Sequence, residues 1–121
     1  MDDLYQQALL DLYKNPLNKK PLSDFTIRQE ENNPLCGEQV ELFVKFDEHD
    51  RVTDVGWESE GCSISQVGAS LLTDYIKNKT REELKTITSD EVIKMTGLNL
   101  NPARLRCLLL CYTALQKILT T

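Results

Sequence analysis

Residues 39–47, QVELFVKFD, decide the fold. Apolar and polar side chains alternate along this stretch, and successive side chains of a β-strand point to opposite faces of a sheet. The stretch is therefore predicted to be a half-buried strand. Its core-facing residues are Val40, Leu42, Val44 and Phe46. The residues of its opposite face are Gln39, Glu41, Phe43 and Lys45.

The segments on either side of this strand complete a sheet. DEHDR (47–51) predicts a hairpin turn, and VTDVGWES (52–59) predicts a returning strand with Val55 and Trp57 on one face. FTIRQE, near residues 25–30, predicts a further short strand. The sheet is therefore expected to be antiparallel and three-stranded, with one face that needs a covering layer.

Helices are expected before and after the sheet. Residues 2–14 carry Leu4, Tyr5, Leu9 and Leu12 at helical spacing, and Asn15-Pro16 ends this helix. A second helix is predicted from Cys62 to about Lys77. Its expected core stripe consists of Ile64, Val67, Gly68, Leu71 and Tyr75.

Capping signals predict three more helices. Thr80 and Glu83 form a capping box before REELKTI, Ser89 begins a helix that Gly97 ends, and Pro102 is a first-turn residue of a last helix that runs to about residue 119. The expected fold is therefore α+β: an N-terminal helix, a three-stranded antiparallel sheet and a helical layer on one face. A chain of 121 residues suits a single domain over residues 1–121.

Composition excludes several classes of function. The formal net charge is −5, so a general affinity for nucleic acid, which requires a basic patch, is not expected. No apolar run approaches the roughly 20 residues that span a membrane, and the start MDDLYQQALL lacks the basic residues of a signal peptide. We expect a cytoplasmic protein that does not bind membranes, in which cysteines serve as metal ligands, nucleophiles or core residues rather than in disulfides.

Two of the four cysteines lie where a side chain is poorly hidden. Cys36 lies in a turn between Pro34 and Gly37, and Cys62 follows Gly61 where a helix begins. A helix N-terminus stabilises negative charge and thereby favours a thiolate. Both positions favour ligation or reactivity over simple packing.

The other two cysteines lie in the last helix. At about 100° per residue, Cys107 falls on the side opposite the apolar stripe, although Leu110 and Ile118 also lie off it and leave a second buried face open. Cys111 lies one turn beyond Cys107, and we interpret it as a packing residue. The stripe consists of Leu105, Leu108, Leu109, Tyr112, Gln116 and Leu119.

Spacing alone is weak evidence for a metal site, because no two cysteines are arranged as C-x-x-C. Thiols on a loop, a helix start and a separate helix can still converge, and three thiolates with a carboxylate suit zinc or iron. Glu38 is the candidate carboxylate, although by itself it is more typical of a solvated loop acid. His49, the single histidine, lies in the acidic hairpin turn and is interpreted as solvated.

Taken in order, NPLCGEQV, EGCSIS and PARLRC resemble the three cysteine motifs of the IscU/NifU-type iron–sulfur cluster assembly scaffold family. LYQQALLDLYKNPLNK resembles the N-terminal helix of that family, so the resemblance covers nearly the whole chain. It implies an α+β fold and a surface site formed by Cys36, Cys62 and Cys107. Such a site accepts persulfide sulfur from a cysteine desulfurase and either builds an Fe–S cluster for apo recipient proteins or binds zinc.

The motifs depart from the family pattern at three points. Glu38 replaces the usual aspartate, which lengthens the carboxylate arm by one methylene. Arg106 replaces the histidine that precedes the last cysteine in the IscU branch, as is typical of the SufU-like branch. The extra residues that SufU-type proteins carry before the last helix are missing. The chain therefore resembles the SufU-like branch in its motifs and differs from it in length.

The resemblance leaves three functions open. In the first, the chain is a scaffold in which Cys107 accepts the sulfur, Arg106 favours its thiolate, and iron or zinc is held by Cys36, Cys62 and Glu38. In the second, it is a zinc-dependent sulfurtransferase with zinc on Cys36, Glu38, Cys62 and Cys107. In the third, it is a structural zinc module that unfolds when zinc is removed.

Overall fold

The computed structural model describes residues 3–34 and 37–120, and these form an α+β fold with the predicted order of elements. In chain order the elements are α1 (Asp3–Lys14), β1 (Ile27–Asn33), β2 (Glu38–Phe46), β3 (Val52–Glu60), α2 (Ser63–Ile76), α3 (Arg81–Leu84), α4 (Ser89–Thr96), α5 (Pro102–Leu108) and α6 (Leu110–Leu119). The predicted fold class is confirmed.

The sheet is antiparallel with β2 in the centre, in the strand order β1-β2-β3. The register pairs Asn33 with Glu38 at one end of β1–β2 and Leu42 with Trp57 across β2–β3. Between Lys45 and Phe46 the register shifts at a bulge. The core face of β2 is the predicted one, with all four of its apolar side chains buried.

The opposite face of the sheet is covered more than its sequence predicts. Phe43 belongs to that face, yet it is only 5% exposed and packs edge-on against Phe25, with the ring centroids 5.5 Å apart. The polar segment before β1 also crosses the sheet at Gly56, where a Cβ would lie 2.3 Å from the carbonyl oxygen of Lys20. The linker therefore acts as a partial second cover.

The helical layer lies on the core face, where α6 packs on β1 and β2 and α2 packs on β3. Two capping boxes begin α3 and α4, at Thr80 with Glu83 and at Thr88 with Glu91, and Gly97 ends α4 in the left-handed conformation. Among the described residues, no helix has the length and apolar character needed to cross a bilayer.

The predicted core stripe of α2 was wrong in part, since Tyr75 is 40% exposed. The cause is that α2 contacts β3, α1, α4, α5 and α6, so no single stripe describes its contacts. Ile64 and Val67 line a groove of about 590 Å³ beside α1. The buried residues of α2 are Ser65, Val67, Gly68, Ala69, Ser70, Leu72, Thr73 and Ile76.

The predicted last helix, from Pro102 to about residue 119, is two helices. Leu109 has φ −91° and ψ 7°, which ends α5 and begins α6. The break cannot be read from the sequence because LLL (108–110) contains neither proline nor glycine. It separates the segment that carries Cys107 from the segment that packs on the sheet.

Candidate metal centre

Three ligand-type side chains from three elements converge at one end of the sheet. Glu38 begins β2, Cys62 is the N-cap residue of α2, and Cys107 lies in the last turn of α5. One carboxylate oxygen and the two Sγ atoms all lie within 4.8 Å of one another. The structure thus brings together three of the four residues that the sequence predicts as ligands.

The Glu38 carboxylate is fixed to the start of α2. Its Oε1 accepts a hydrogen bond from the backbone N–H of Cys62 at 3.0 Å. The side chain of Cys62 makes no capping hydrogen bond, and Glu38 supplies the acceptor for the N–H of this N-cap residue. Ser65 Oγ donates to the Cys62 carbonyl at 3.0 Å, which holds the same turn from the other side.

Gly61 allows this close packing beneath Cys62. A Cβ at Gly61 would lie 2.6 Å from Ser65 Oγ and 3.5 Å from Cδ of Glu38. Any side chain at this position would therefore push on Ser65 Oγ, which holds the turn whose Cys62 N–H binds the carboxylate. In the EGC motif the glycine is therefore required for steric reasons, and the cysteine for its ligand chemistry.

Cys107 faces inward and is only 7% exposed. The helix segment around Cys107 therefore has a second buried face, which the sequence analysis allowed. The family resemblance implies a surface site, but at the Cys107 thiol the site is largely enclosed. Asn33 Nδ2 donates to Cys107 Sγ at 3.9 Å. Glu38 is similarly enclosed at 8% exposure, whereas Cys62 is half-buried.

Cys36, the remaining predicted ligand, lies outside the described residues. The residue after it is described: Gly37 N donates to the Asn33 carbonyl at 2.9 Å, and Gly37 adopts a left-handed φ of 70°. A left-handed φ favours glycine at this position. Gly37 is also the residue immediately before Glu38, and its hydrogen bond to Asn33 ties the start of β2 to the end of β1.

Arg106 is exposed and lines a cleft of about 320 Å³ between the end of β1 and α5. Its guanidinium is a fixed cation that cannot ligate a metal, because it has no free lone pair. Arg106 precedes Cys107 in the sequence, and its predicted role of favouring the Cys107 thiolate stays a prediction.

Cys111 and His49 occupy the positions that the sequence predicts for them. Cys111 is 2% exposed within the hydrophobic core, and burial raises the pKa of its thiol to about 12. His49 lies in the hairpin turn with a side chain that is 77% exposed. Neither residue is part of the cluster.

The donor set fits one metal ion of the zinc type. Zinc takes thiolate and carboxylate ligands in a tetrahedron, and with Zn–S bonds of about 2.3 Å its ligand atoms lie about 3.8 Å apart. A separation below 4.8 Å is therefore close to that of ligands on a single ion.

Sequence reasoning missed three residues that shape this site: Asn33, and the steric roles of Gly61 and Gly68. Asn33 lies in the NNPLC stretch and reads as an ordinary turn residue. The steric role of a helical glycine such as Gly68 depends on what packs against it, and spacing within one helix does not supply that information.

Comparison with known proteins agrees with this geometry. The family model described as NifU-like N terminal domain matches residues 4–121. The chain is 38% identical to the zinc-dependent sulfurtransferase SufU of Bacillus subtilis strain 168 over 134 aligned positions, which cover 97% of this chain and 90% of that protein. It is 31% identical to the iron–sulfur cluster assembly scaffold protein IscU of Streptococcus pyogenes serotype M1, with 97% and 83% covered.

A solved structure has the same fold. It is a SufU-type iron–sulfur cluster assembly scaffold protein for the SUF system from Fervidobacterium islandicum AW-1. It matches with a TM-score of 0.77 and 25% identity, over 92% of this chain and 93% of that one.

Proposed function

The chain belongs to the NifU-like N-terminal domain family, and on that premise we propose that it works in iron–sulfur cluster assembly by accepting sulfur from a cysteine desulfurase. One observation carries the proposal: Glu38, Cys62 and Cys107 come together within 4.8 Å, although 23 residues separate the first two and 44 the last two. Chance does not readily produce two thiols and a carboxylate at one end of a sheet.

Cys107 is the proposed sulfur acceptor. Its thiolate attacks the terminal sulfur of the desulfurase cysteine persulfide, a new S–S bond forms to Cys107, and the S–S bond of the donor breaks. The donor cysteine leaves as a thiolate, so the exchange needs neither an oxidant nor a reductant. Cys107 is 7% exposed, and we place the approach of the desulfurase at the cleft between the end of β1 and α5, which Arg106 lines. Arg106 is the cation that borders this approach.

The proposed metal ligands are Glu38, Cys62 and Cys107, with Cys36 as the fourth. A zinc ion bound there would keep its thiolate ligands deprotonated at neutral pH. The chain itself supplies the orientation: the Cys62 N–H holds the Glu38 carboxylate, and Asn33 holds the Cys107 sulfur.

Within this function, zinc-dependent sulfur transfer is favoured over scaffolding. The three described donor atoms lie close enough to share one ion, whereas a two-iron cluster spreads its protein ligands over two metals. The 38% identity to SufU supports the same choice. The scaffold remains the second candidate, supported by the 31% identity to IscU, and its cluster would be the substrate that is built and passed on.

A purely structural zinc module has less support. The main core of the domain lies between the sheet and α2, α4 and α6, and none of its members is Glu38, Cys62 or Cys107. A domain whose core is complete without the metal residues should stay folded when the metal is removed. The third function requires the opposite.

The test combines two preparations with two variants. The chain is incubated anaerobically with a desulfurase, cysteine and a dithiol reductant that converts persulfide sulfur to sulfide, once with zinc and once with iron, and bound metal, labile sulfide and desulfurase turnover are measured. Zinc retention without a cluster, together with faster turnover, marks the sulfurtransferase, whereas stoichiometric iron and sulfide mark the scaffold.

Cys107→Ala should abolish either signal. The same change at Cys111, which lies in the core away from the cluster, should leave it intact. Absence of both signals from the unmodified chain would refute the proposed function.

A further inference from the structure

Asn33 contacts two of the three residues of the described cluster, Glu38 and Cys107. It is the last residue of β1 and pairs in register with Glu38. Its carbonyl accepts from Gly37 N, across the segment that carries Cys36. Its side-chain Nδ2 reaches α5 and donates to Cys107 Sγ at 3.9 Å. The side chain is 7% exposed, although asparagine is mostly found on protein surfaces.

We propose that Asn33 is a positioning residue that holds Cys107 Sγ in the metal- and sulfur-binding geometry; this inference rests on the proposed function. The amide has two N–H donors and the sulfur of a thiolate is an acceptor, so the bond is strongest in the reactive form of Cys107. The contact fixes where the sulfur lies relative to Glu38 and Cys62.

The bond also sets how strongly the sulfur donates. An N–H···S hydrogen bond withdraws electron density from a thiolate, and hydrogen bonds to ligand atoms tune metal sites in this way. A thiolate that binds metal less tightly is more readily released to attack a persulfide. Asn33 thus links metal retention and sulfur acceptance through a single contact.

The test uses Co²⁺ in place of zinc, because cobalt–thiolate charge-transfer absorption reports directly on the ligand sulfurs. Asn33→Leu removes the donor while keeping a side chain of similar size. Aspartate is avoided because its carboxylate could itself bind the metal. Asn32→Leu is the matched control, since Asn32 is the exposed neighbour on the same strand.

In Asn33→Leu the charge-transfer band should move to longer wavelength, because the sulfur regains electron density. Co²⁺ affinity should still fall by about 10–100-fold, since the loss of a fixed sulfur position outweighs the stronger donation, as is typical when a partner of a metal ligand is lost. The control should match the unmodified chain in both. Asn33→Gln, which keeps an N–H donor on a longer arm, should recover part of the band position. Circular dichroism checks folding, and Asn33→Ala takes the place of Asn33→Leu if the latter does not fold.

A double-mutant cycle with Cys107→Ala separates positioning from a general structural effect. If Asn33 acts through Cys107, its replacement should cause no further change in the Cys107→Ala background. An equal effect in both backgrounds, or an unchanged band in Asn33→Leu, overturns the proposal while leaving the metal site intact. An unmodified chain without any cobalt–thiolate band would overturn the proposed metal site as well, so the two failures are distinct.

Discussion

Gly68 of α2 lies directly against the main-chain carbonyl of Leu108 in α5: a Cβ built at Gly68 would be 2.4 Å from that oxygen and 3.1 Å from Cδ1 of Leu108. The backbones of the two helices are therefore in direct contact, because Gly68 has no side chain to separate them. Because α2 begins next to Cys62 and α5 carries Cys107, this contact sets the separation of the two thiols.

Gly68→Ala should therefore move α5 and weaken the site. Helix propensity alone would make this change stabilising by about 1 kcal/mol. The clash is with backbone and cannot be relieved by a rotamer change, so we expect destabilisation of about 1–3 kcal/mol and weaker zinc binding. Urea unfolding followed by the fluorescence of buried Trp57 measures the change in stability, and a zinc competition titration measures the change in zinc affinity.

Asp74→Ala is the control for that experiment. Asp74 is an exposed residue of α2, and its replacement raises helix propensity without touching α5. Its free energy of unfolding should stay within about 0.5 kcal/mol of the unmodified chain, with zinc affinity unchanged. A Gly68→Ala protein that is more stable and binds zinc normally would show that the helix contact does not govern the site.

Glu38→Gln should separate the hydrogen-bonding role of the side chain from ligation. The amide oxygen can still accept from Cys62 N, so the fold and the start of α2 should be retained. A neutral amide is a much poorer zinc ligand than a carboxylate, so zinc affinity should fall by at least about tenfold. Glu60→Gln makes the same change at an exposed carboxylate near the cluster, at the end of β3, and should have no effect. Equal affinities for the two variants would remove Glu38 from the ligand set.

The sheet could be predicted because its determinants are local. The alternation of β2 and the turn DEHDR fix which residues face the core and how β2 meets β3, and both predictions are confirmed. Capping boxes and Gly97 act within one turn of helix, so the starts of α3 and α4 were accessible for the same reason.

The helical layer was harder because its contacts are tertiary. The burial of α2 depends on α1, α5 and α6 at once, and the break at Leu109 leaves no mark in an all-leucine segment. The cluster shows the same limit. Spacing gave no metal pattern, and only the family resemblance linked Cys62 and Cys107 before the structure placed their sulfurs together.

Arg106→Gln tests the predicted role of the cation beside Cys107. Arg106 is exposed, and exposed charge interactions contribute about 0.2–1 kcal/mol, so sulfur acceptance should slow by at most about fivefold while the fold is unchanged. The loss should shrink at high salt, because screening removes the same interaction. Persulfide on Cys107 is measured by mass spectrometry after short incubation with the desulfurase.

Arg104→Gln is the matched change two residues earlier on the same helix. It also removes an exposed cation but leaves the residue next to Cys107 in place. If both variants slow transfer equally, the effect is one of overall charge and Arg106 has no special part.

The buried thiol of Cys111 should make stability depend on alkaline pH. Burial raises the pKa of this thiol to about 12 in the folded state, from 9.0 for an unperturbed thiol. Below pH 9 the thiol keeps its proton in both the folded and the unfolded chain, and its contribution to stability is fully present. Between about pH 9 and 12 only the unfolded chain loses this proton, so the folded state binds more protons. The free energy of unfolding therefore falls by about 1.4 kcal/mol per pH unit.

Urea unfolding at a series of pH values from 8 to 11 measures this slope, with Cys111→Ala as the comparison. The other groups that titrate in this range are common to both proteins, so the difference between their slopes isolates the thiol. Cys111→Ala should be less stable than the unmodified chain at pH 8, because it loses buried side-chain volume. The difference between their free energies of unfolding should become smaller as pH rises. Parallel slopes would mean that Cys111 ionises as easily in the folded chain as in the unfolded one, and would refute the raised pKa of its thiol.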